Sequence, residues 1–247
     1  MLFAIGLDRE IVAVTPFCDY PPAALQRSKV AYANPSLEAI VALDPDLVIA
    51  PAEFLRSDLL AKLEQLKIPA LVVGAKSLRD IERHLDLFGR VFNRTAQADT
   101  VIRAMRQRIE EATARAKQFP PVRVLYVLNS QPLITVGPGS YIHELIERAG
   151  AVNIAASAST PYPRIGMDSV LQGDPEILLF PVGKTETVPV ADREAWRRWT
   201  DITAVRTGRL HVIPSDVLNR PGPRIVEALD ALVAVFHPLP ERPAALP

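Results

Sequence analysis

The sequence predicts an α/β protein of two similar lobes joined by one long helix. Three observations predict it: a helix–break–strand block that occurs twice, apolar runs of strand length alternating with helical periodicity, and a long mid-chain helical pattern without glycine or proline. The block reads "ALDPDLVIA" at 42–50 and "QGDPEILLF" at 172–180. Aligning Asp44 with Asp174 places Pro45 on Pro175, Asp46 on Glu176, Leu47-Val48-Ile49 on Ile177-Leu178-Leu179, and Pro51 on Pro181. Upstream, Leu37, Ile40 and Val41 fall on Met167, Val170 and Leu171, spaced as one helix face. A period of 130 residues is too long for a solenoid and suits two lobes.

Each element has its own signal. "IVAV" at 11–14 is a short β-branched strand that runs into the rigid loop "TPFCDYPP". Asn34 is the expected N-cap of a short helix over Leu37–Leu43, with Pro35 at its first position. Leu47–Ala50 shows no polar alternation, which predicts a strand covered on both faces, as in a parallel sheet. A helix follows with Leu59, Leu60, Leu63 and Leu66 on one side, and "IPALVVGA" predicts a second buried strand. From Gln97 to Lys117 the positions Ala98, Val101, Ile102, Met105, Ile109 and Ala112 keep helical spacing. At 1.5 Å per residue this is a rod of roughly 30 Å, stiff enough to predict small opening motions on ligand binding.

"VRVLYVL" at 122–128 opens the second lobe, and "VGPGS" leads into the helix "YIHELIERAG", ended by Gly150. After the repeated block, "REAWRRWTDITAV" predicts one helix with Trp196 and Trp199 on or near its buried side. "RTGRLHVIP" is a turn and strand, and "GPRIVEALDALVAVF" is the closing helix. The expected domains are a lobe at 1–93, a connector at 94–119, a second lobe at 120–238 and a structureless tail at 239–247.

Bulk properties remove several function classes. Lys/Arg and Asp/Glu balance at 28 each, so no basic field draws the chain to nucleic acid. No apolar run reaches membrane-spanning length. Cys18 is the single cysteine, which excludes an intrachain disulfide and a multi-cysteine metal site; a packed small residue is the favoured reading. His84, His143, His211 and His237 show no paired ligand spacing, so no intrinsic metal site is predicted. Gly137 and Gly139 precede a helix, but Pro138 removes one amide donor from any phosphate cradle. No nucleophile elbow, lysine-bearing phosphate loop or "HExxH" occurs, so no catalytic step is predicted.

The "CDYPP" turn at 18–22, "SLEAIVALDPDLVIA" at 36–50 and "NRPGPRIVEALDALVAVFHP" at 219–238 together resemble the helical-backbone solute-binding proteins of ABC importers. The resemblance covers nearly the whole chain and is nearest to the corrinoid-binding branch. It implies two Rossmann-like lobes on one backbone helix, holding a cobalamin-like corrinoid, an iron–siderophore complex or haem in the cleft between them. It also implies an ABC permease and its ATPase as partners, a monomer, and a periplasmic or otherwise extracytoplasmic location. Any metal would arrive with the ligand as cargo. Family members carry an export signal, then a strand and loop ahead of the helix that here reads "LFAIGLD"; both segments are expected to be missing from this sequence.

The rule that ligands lie beyond the carboxyl ends of parallel strands nominates loops 16–22, 51–54, 74–76, 129–132, 162–164, 181–184 and 216–220. In the first lobe Asp19, Tyr20, Pro51, Glu53 and Phe54 are the candidates, with Tyr20 offering a flat face and Phe54 standing near a tryptophan of the relatives. In the second lobe Tyr162 is an aromatic wall, Arg164 a partner for an acidic ligand group, and Asp216 with Arg220 a pair that shapes its loop. Two tryptophan places of the corrinoid binders hold Pro51 and Val217 here. The two docking glutamates of the family fall on Ser57, with Asp58 beside it, and on Asn219, which makes Asp58 and Asn219 the docking candidates. Two further readings stay open: a permease-independent corrinoid or haem sensor or chaperone, and a two-lobed enzyme acting on a nucleotide or metal complex.

Overall fold

The computed structural model describes residues 1–32, 34–51, 56–184 and 187–238. The chain divides into two α/β units, Met1–Ala75 with Arg79–Ile102, and Lys76–Leu78 with Arg103–Pro247. The expected tail at 239–247 lies outside the described residues.

The first unit opens with a 3-10 turn at Leu2–Ile5, followed by β1 (Ala13–Val14), a second 3-10 turn at Pro22–Gln26, and β2 (Ser28–Lys29). Then come α1 (Leu37–Val41), β3 (Val48–Pro51), α2 (Ser57–Gln65), β4 (Ala70–Val73) and α3 (Leu78–Val91). Ser36, not Asn34, caps α1: its hydroxyl oxygen accepts the Ala39 N–H at 3.2 Å. Asn34 instead holds a left-handed backbone at φ 51° and accepts a hydrogen bond from Arg56, which turns its side chain away from the helix start.

β1 pairs in parallel with β2, and β3 with β4, as two separate two-stranded sheets. Helices α1 and α2 cover one face, packing Ile40, Leu59 and Leu63 against Val48, Ala50 and Ala70. Strands covered on both faces were expected, yet every residue of β3 is only half-buried and Val72 is 45% exposed. Leu66 is also half-exposed, because α2 ends at Gln65 and the chain turns there.

α4 (Thr95–Ala116) starts in the first unit and ends in the second. Its 22 residues span about 33 Å. Ala98, Ile102, Met105, Ile109 and Ala112 are buried along one face, as the spacing predicts. In the second unit Arg108 and Arg115 of this helix both pair with Asp230.

The second unit contains β5 (Val122–Tyr126), the antiparallel hairpin β6 (Asn129–Ser130) and β7 (Leu133–Ile134), α5 (Tyr141–Arg148) and β8 (Ala151–Asn153). α6 (Met167–Gly173), β9 (Ile177–Val182), α7 (Val190–Glu194), α8 (Thr203–Arg206), β10 (Leu210–Pro214), α9 (Ser215–Leu218) and α10 (Ile225–Phe236) complete it. Among the described residues β10, β9, β5 and β8 form one parallel sheet in that order. Ile177, Leu178, Leu179 and Phe180 of its β9 are fully buried, as a strand between two helical layers requires. Gly150 follows α5 at φ 76°, where a side-chain carbon would meet the His237 ring nitrogen at 2.8 Å.

The single helix expected over "REAWRRWTDITAV" is three short pieces, α7, a 3-10 turn at Ala195–Arg198, and α8. The break coincides with a contact from a distant segment. The Asp174 carboxylate accepts the Thr203 N–H at 2.8 Å and its hydroxyl at 2.9 Å, which fixes a new helix start there.

Candidate ligand-binding site

Because both units are built on parallel strands, the loops that follow the strands collect at one edge of each sheet, where α/β proteins bind ligands. In the first unit that edge carries the turn after β1. Its Cys18 N–H donates to the Thr15 carbonyl at 3.0 Å, Asp19 is half-buried, and Tyr20 is 57% exposed. The Tyr20–Pro21 peptide is cis. Pro51 ends β3 opposite Val73. Glu53 and Phe54 lie outside the described residues. Asp58, in the first turn of α2, pairs with Arg56 at 3.1 Å. Desolvation raises its pKa, but Arg56 and nearby backbone amides outweigh that and hold the carboxyl below the ordinary carboxylate range.

In the second unit the segment 161–165 lies antiparallel along 133–137. The Gly137 N–H donates to the Pro161 carbonyl at 2.8 Å, Thr135 N–H to Pro163 at 3.1 Å, and Ile165 N–H to Leu133 at 3.1 Å. Ile134 and Arg164 form the bridge between the two stretches. Backbone bonds therefore hold this loop, leaving the side chains of Tyr162, 52% exposed, and Arg164 outward. Tyr162 is a flat aromatic surface on a fixed mount.

Asp216, in α9, and Arg220, just beyond it, form an ion pair, as expected of a pair that shapes its loop. Asn219 points inward: its side-chain oxygen accepts the hydroxyl of the fully buried Tyr126 at 2.7 Å. That bond fastens the loop after α9 to β5 and commits the side chain nominated for docking to an internal partner.

One feature escaped the sequence reading. Trp196 is core, 6% exposed, but Trp199 is half-buried and lines a cavity of about 240 Å³ with Ser130, Gln131, Met167 and Asp192. The Arg198 guanidinium stands 5.4 Å from the Trp199 ring centre, a cation–π contact. Two tryptophans three apart read alike on a helix; the break after the 3-10 turn is what separates their roles. Among the described residues no group of three or more His, Cys, Asp or Glu side chains is placed to hold a metal ion.

Residues 1–217 match the periplasmic binding protein family. The chain belongs to that family. With two α/β units on one long helix, it falls in the helical-backbone class of these proteins and is related to the cobalamin-binding branch. Membership places it among periplasmic proteins. It is 30% identical over 230 residues to the vitamin B12-binding protein of Vibrio cholerae, covering 92% of this chain and 82% of that one. The crystal structure of the periplasmic vitamin B12-binding protein of Vibrio cholerae matches 95% of this chain and 91% of that chain, at 29% identity and a TM-score of 0.79. A periplasmic haem-binding protein from Pseudomonas aeruginosa is also similar, at 25% identity and a TM-score of 0.81, over 96% of this chain and 88% of that one. Among the described residues no helix of this binding protein is long and apolar enough to cross a membrane.

Proposed function

We propose that this binding protein is the substrate-binding component of an ABC importer and that its ligand is a corrinoid. The observation that carries the reading is the 30% identity, spread over 92% of the chain, to a vitamin B12-binding protein. The site chemistry agrees with it. Tyr20 and Tyr162 are large, exposed aromatic faces in loops at the carboxyl edges of their sheets, suited to apolar contact with a broad macrocycle. Arg164 and the Asp216–Arg220 pair supply polar groups to orient its side arms. The metal belongs to the ligand, and the protein holds it without a catalytic step.

Haem is the second reading, favoured by the similarity to the Pseudomonas aeruginosa haem-binding structure. A ferric siderophore completes the set of metal complexes. A permease and its ATPase are the proposed partners, although Asn219 is turned inward and Asp58 is paired with Arg56. A sensor or chaperone that needs no permease fits those two side chains equally.

Absorbance titration of the purified chain with cyanocobalamin, haem and a ferric siderophore tests the ligand. A saturable spectral change with cyanocobalamin, and unchanged ligand recovered after denaturation, is the expected result. Saturation by haem alone would replace the corrinoid reading, and altered ligand would point to an enzyme. Pull-down with the cognate permease separates importer from sensor.

A further inference from the structure

The cavity of about 240 Å³ beside Trp199 is built from segments that follow two adjacent strands of the second unit. Ser130, Gln131 and Leu133 come after β5, and Asp192, Arg198 and Trp199 after β9. β5 and β9 are parallel neighbours, so these walls belong to the carboxyl edge of the sheet, where α/β proteins bind ligands. Ile165, another wall residue, lies three positions from Tyr162 on the same backbone mount.

Hydrogen bonds fix the walls. The Asn129 amide donates to the Pro132 carbonyl at 2.8 Å and holds the turn that carries Ser130 and Gln131. The Trp199 N–H donates to the Trp196 carbonyl at 2.9 Å, and the indole packs on the core around Val170 and Phe180.

Three kinds of chemistry line the space. Trp199, Leu133 and Met167 supply apolar surface. The Ser130 hydroxyl oxygen is buried with no hydrogen-bond partner among the described residues, a costly state that a ligand hydroxyl relieves. Asp192 adds a carboxylate, an acceptor for hydroxyl donors. Arg198 brings positive charge, its guanidinium 5.4 Å from the Trp199 ring centre. That contact uses no acceptor and leaves the N–H fork to an oxyanion.

Size separates a whole ligand from part of one. Clefts for whole drug-sized ligands run from about 300 Å³ upward, so this cavity suits a small ligand or one arm of a large one. A flat apolar plate, acceptors for hydroxyls and a guanidinium together match a base, a ribose and a phosphate.

We propose that the cavity is a subsite for a ribonucleotide unit, with the base against Trp199, ribose hydroxyls on Asp192 and Ser130, and the phosphate on Arg198. Resting on the corrinoid reading, that unit is the nucleotide arm that cyanocobalamin carries and dicyanocobinamide lacks. A free nucleotide is the other source of the same chemistry.

Isothermal titration calorimetry of the native chain and of Arg198→Gln tests this, with cyanocobalamin, dicyanocobinamide and adenosine monophosphate as probes. Arg198 is exposed, so the variant is expected to keep the native unfolding midpoint. The native chain is expected to bind cyanocobalamin about tenfold more tightly than dicyanocobinamide, and Arg198→Gln to bring that ratio to about one. Equal affinities in the native chain, or a ratio unchanged in the variant, would overturn the assignment to the arm and leave the corrinoid reading standing. Should neither corrinoid bind, the corrinoid reading falls. The subsite then stands only if adenosine monophosphate binds the native chain and binds Arg198→Gln about tenfold less tightly. Absence of that binding as well would overturn the subsite.

Discussion

Asp44 and Asp174, 130 positions apart, both hold the left-handed backbone conformation, at φ 47° and 36°. Each closes a helix: the Asp44 N–H donates to the Val41 carbonyl and the Asp174 N–H to the Val170 carbonyl, both at 3.0 Å. Aspartate tolerates this region better than most residues, and the proline after each prevents the helix from continuing. The repeated "DP" is thus a stop signal used once in each unit, ahead of β3 and of β9. Only Asp174 has gained a second task, as acceptor for the Thr203 N–H and hydroxyl.

That second task makes Asp174 sensitive to acid. The amide and hydroxyl of Thr203, with Arg123 and Arg206, hold its carboxyl below the ordinary carboxylate value. The stabilisation is full above the unfolded pKa, about 4, and is lost as pH falls through the lower folded value. Asp174→Asn keeps the left-handed backbone and removes the charge. It should lower stability at pH 7 by less than about 1 kcal/mol, because the carboxylate is 40% exposed and an asparagine oxygen still accepts the Thr203 N–H. Urea unfolding at pH 7 and in the acid range checks this, and the difference from the native chain should shrink at the lower pH.

The loop after α9 depends on one internal hydrogen bond. Tyr126→Phe removes the donor to the Asn219 oxygen, and the Asn219 amide nitrogen is already buried without a partner. A loss of about 1–3 kcal/mol is expected, because the carbonyl oxygen is left unsatisfied. Ser215→Ala is the counter-case: its fully buried hydroxyl has no partner, so its removal should be neutral or stabilising. Denaturation midpoints of the two variants should move apart.

Gly183 and Ser215 are coupled by space. A side-chain carbon at Gly183 would stand 1.9 Å from the Ser215 hydroxyl oxygen and 3.2 Å from its Cβ. Gly183→Ala should therefore cost about 1–3 kcal/mol. In a Ser215→Ala background the shorter contact is gone and the cost should fall, which a double-mutant cycle measures directly.

Tyr162→Ala isolates ligand contact from stability. The ring is more than half exposed and its backbone is fixed by neighbouring amides, so the unfolding free energy should change by less than about 0.5 kcal/mol. Cyanocobalamin affinity should fall by about tenfold, equivalent to about 1.4 kcal/mol. Unchanged affinity would remove Tyr162 from the proposed site.

The two-unit plan, the long helix over Thr95–Ala116 and the strand Ile177–Val182 are legible in the chain alone. These rest on local periodicity and on stop signals such as Asp174-Pro175, which act over a few residues and can be read in order along the chain. Sequence could also place Asp216 and Arg220 four apart, the spacing at which they pair. The remainder came from contacts between distant segments. They turned Asn219 toward Tyr126, 93 positions away, and brought Asp174 to Thr203, breaking one expected helix into pieces. They also left β3 half-exposed beside an open groove. A side chain's partner, and the number of neighbours a strand has, are set by packing between distant segments, and no local pattern carries that information.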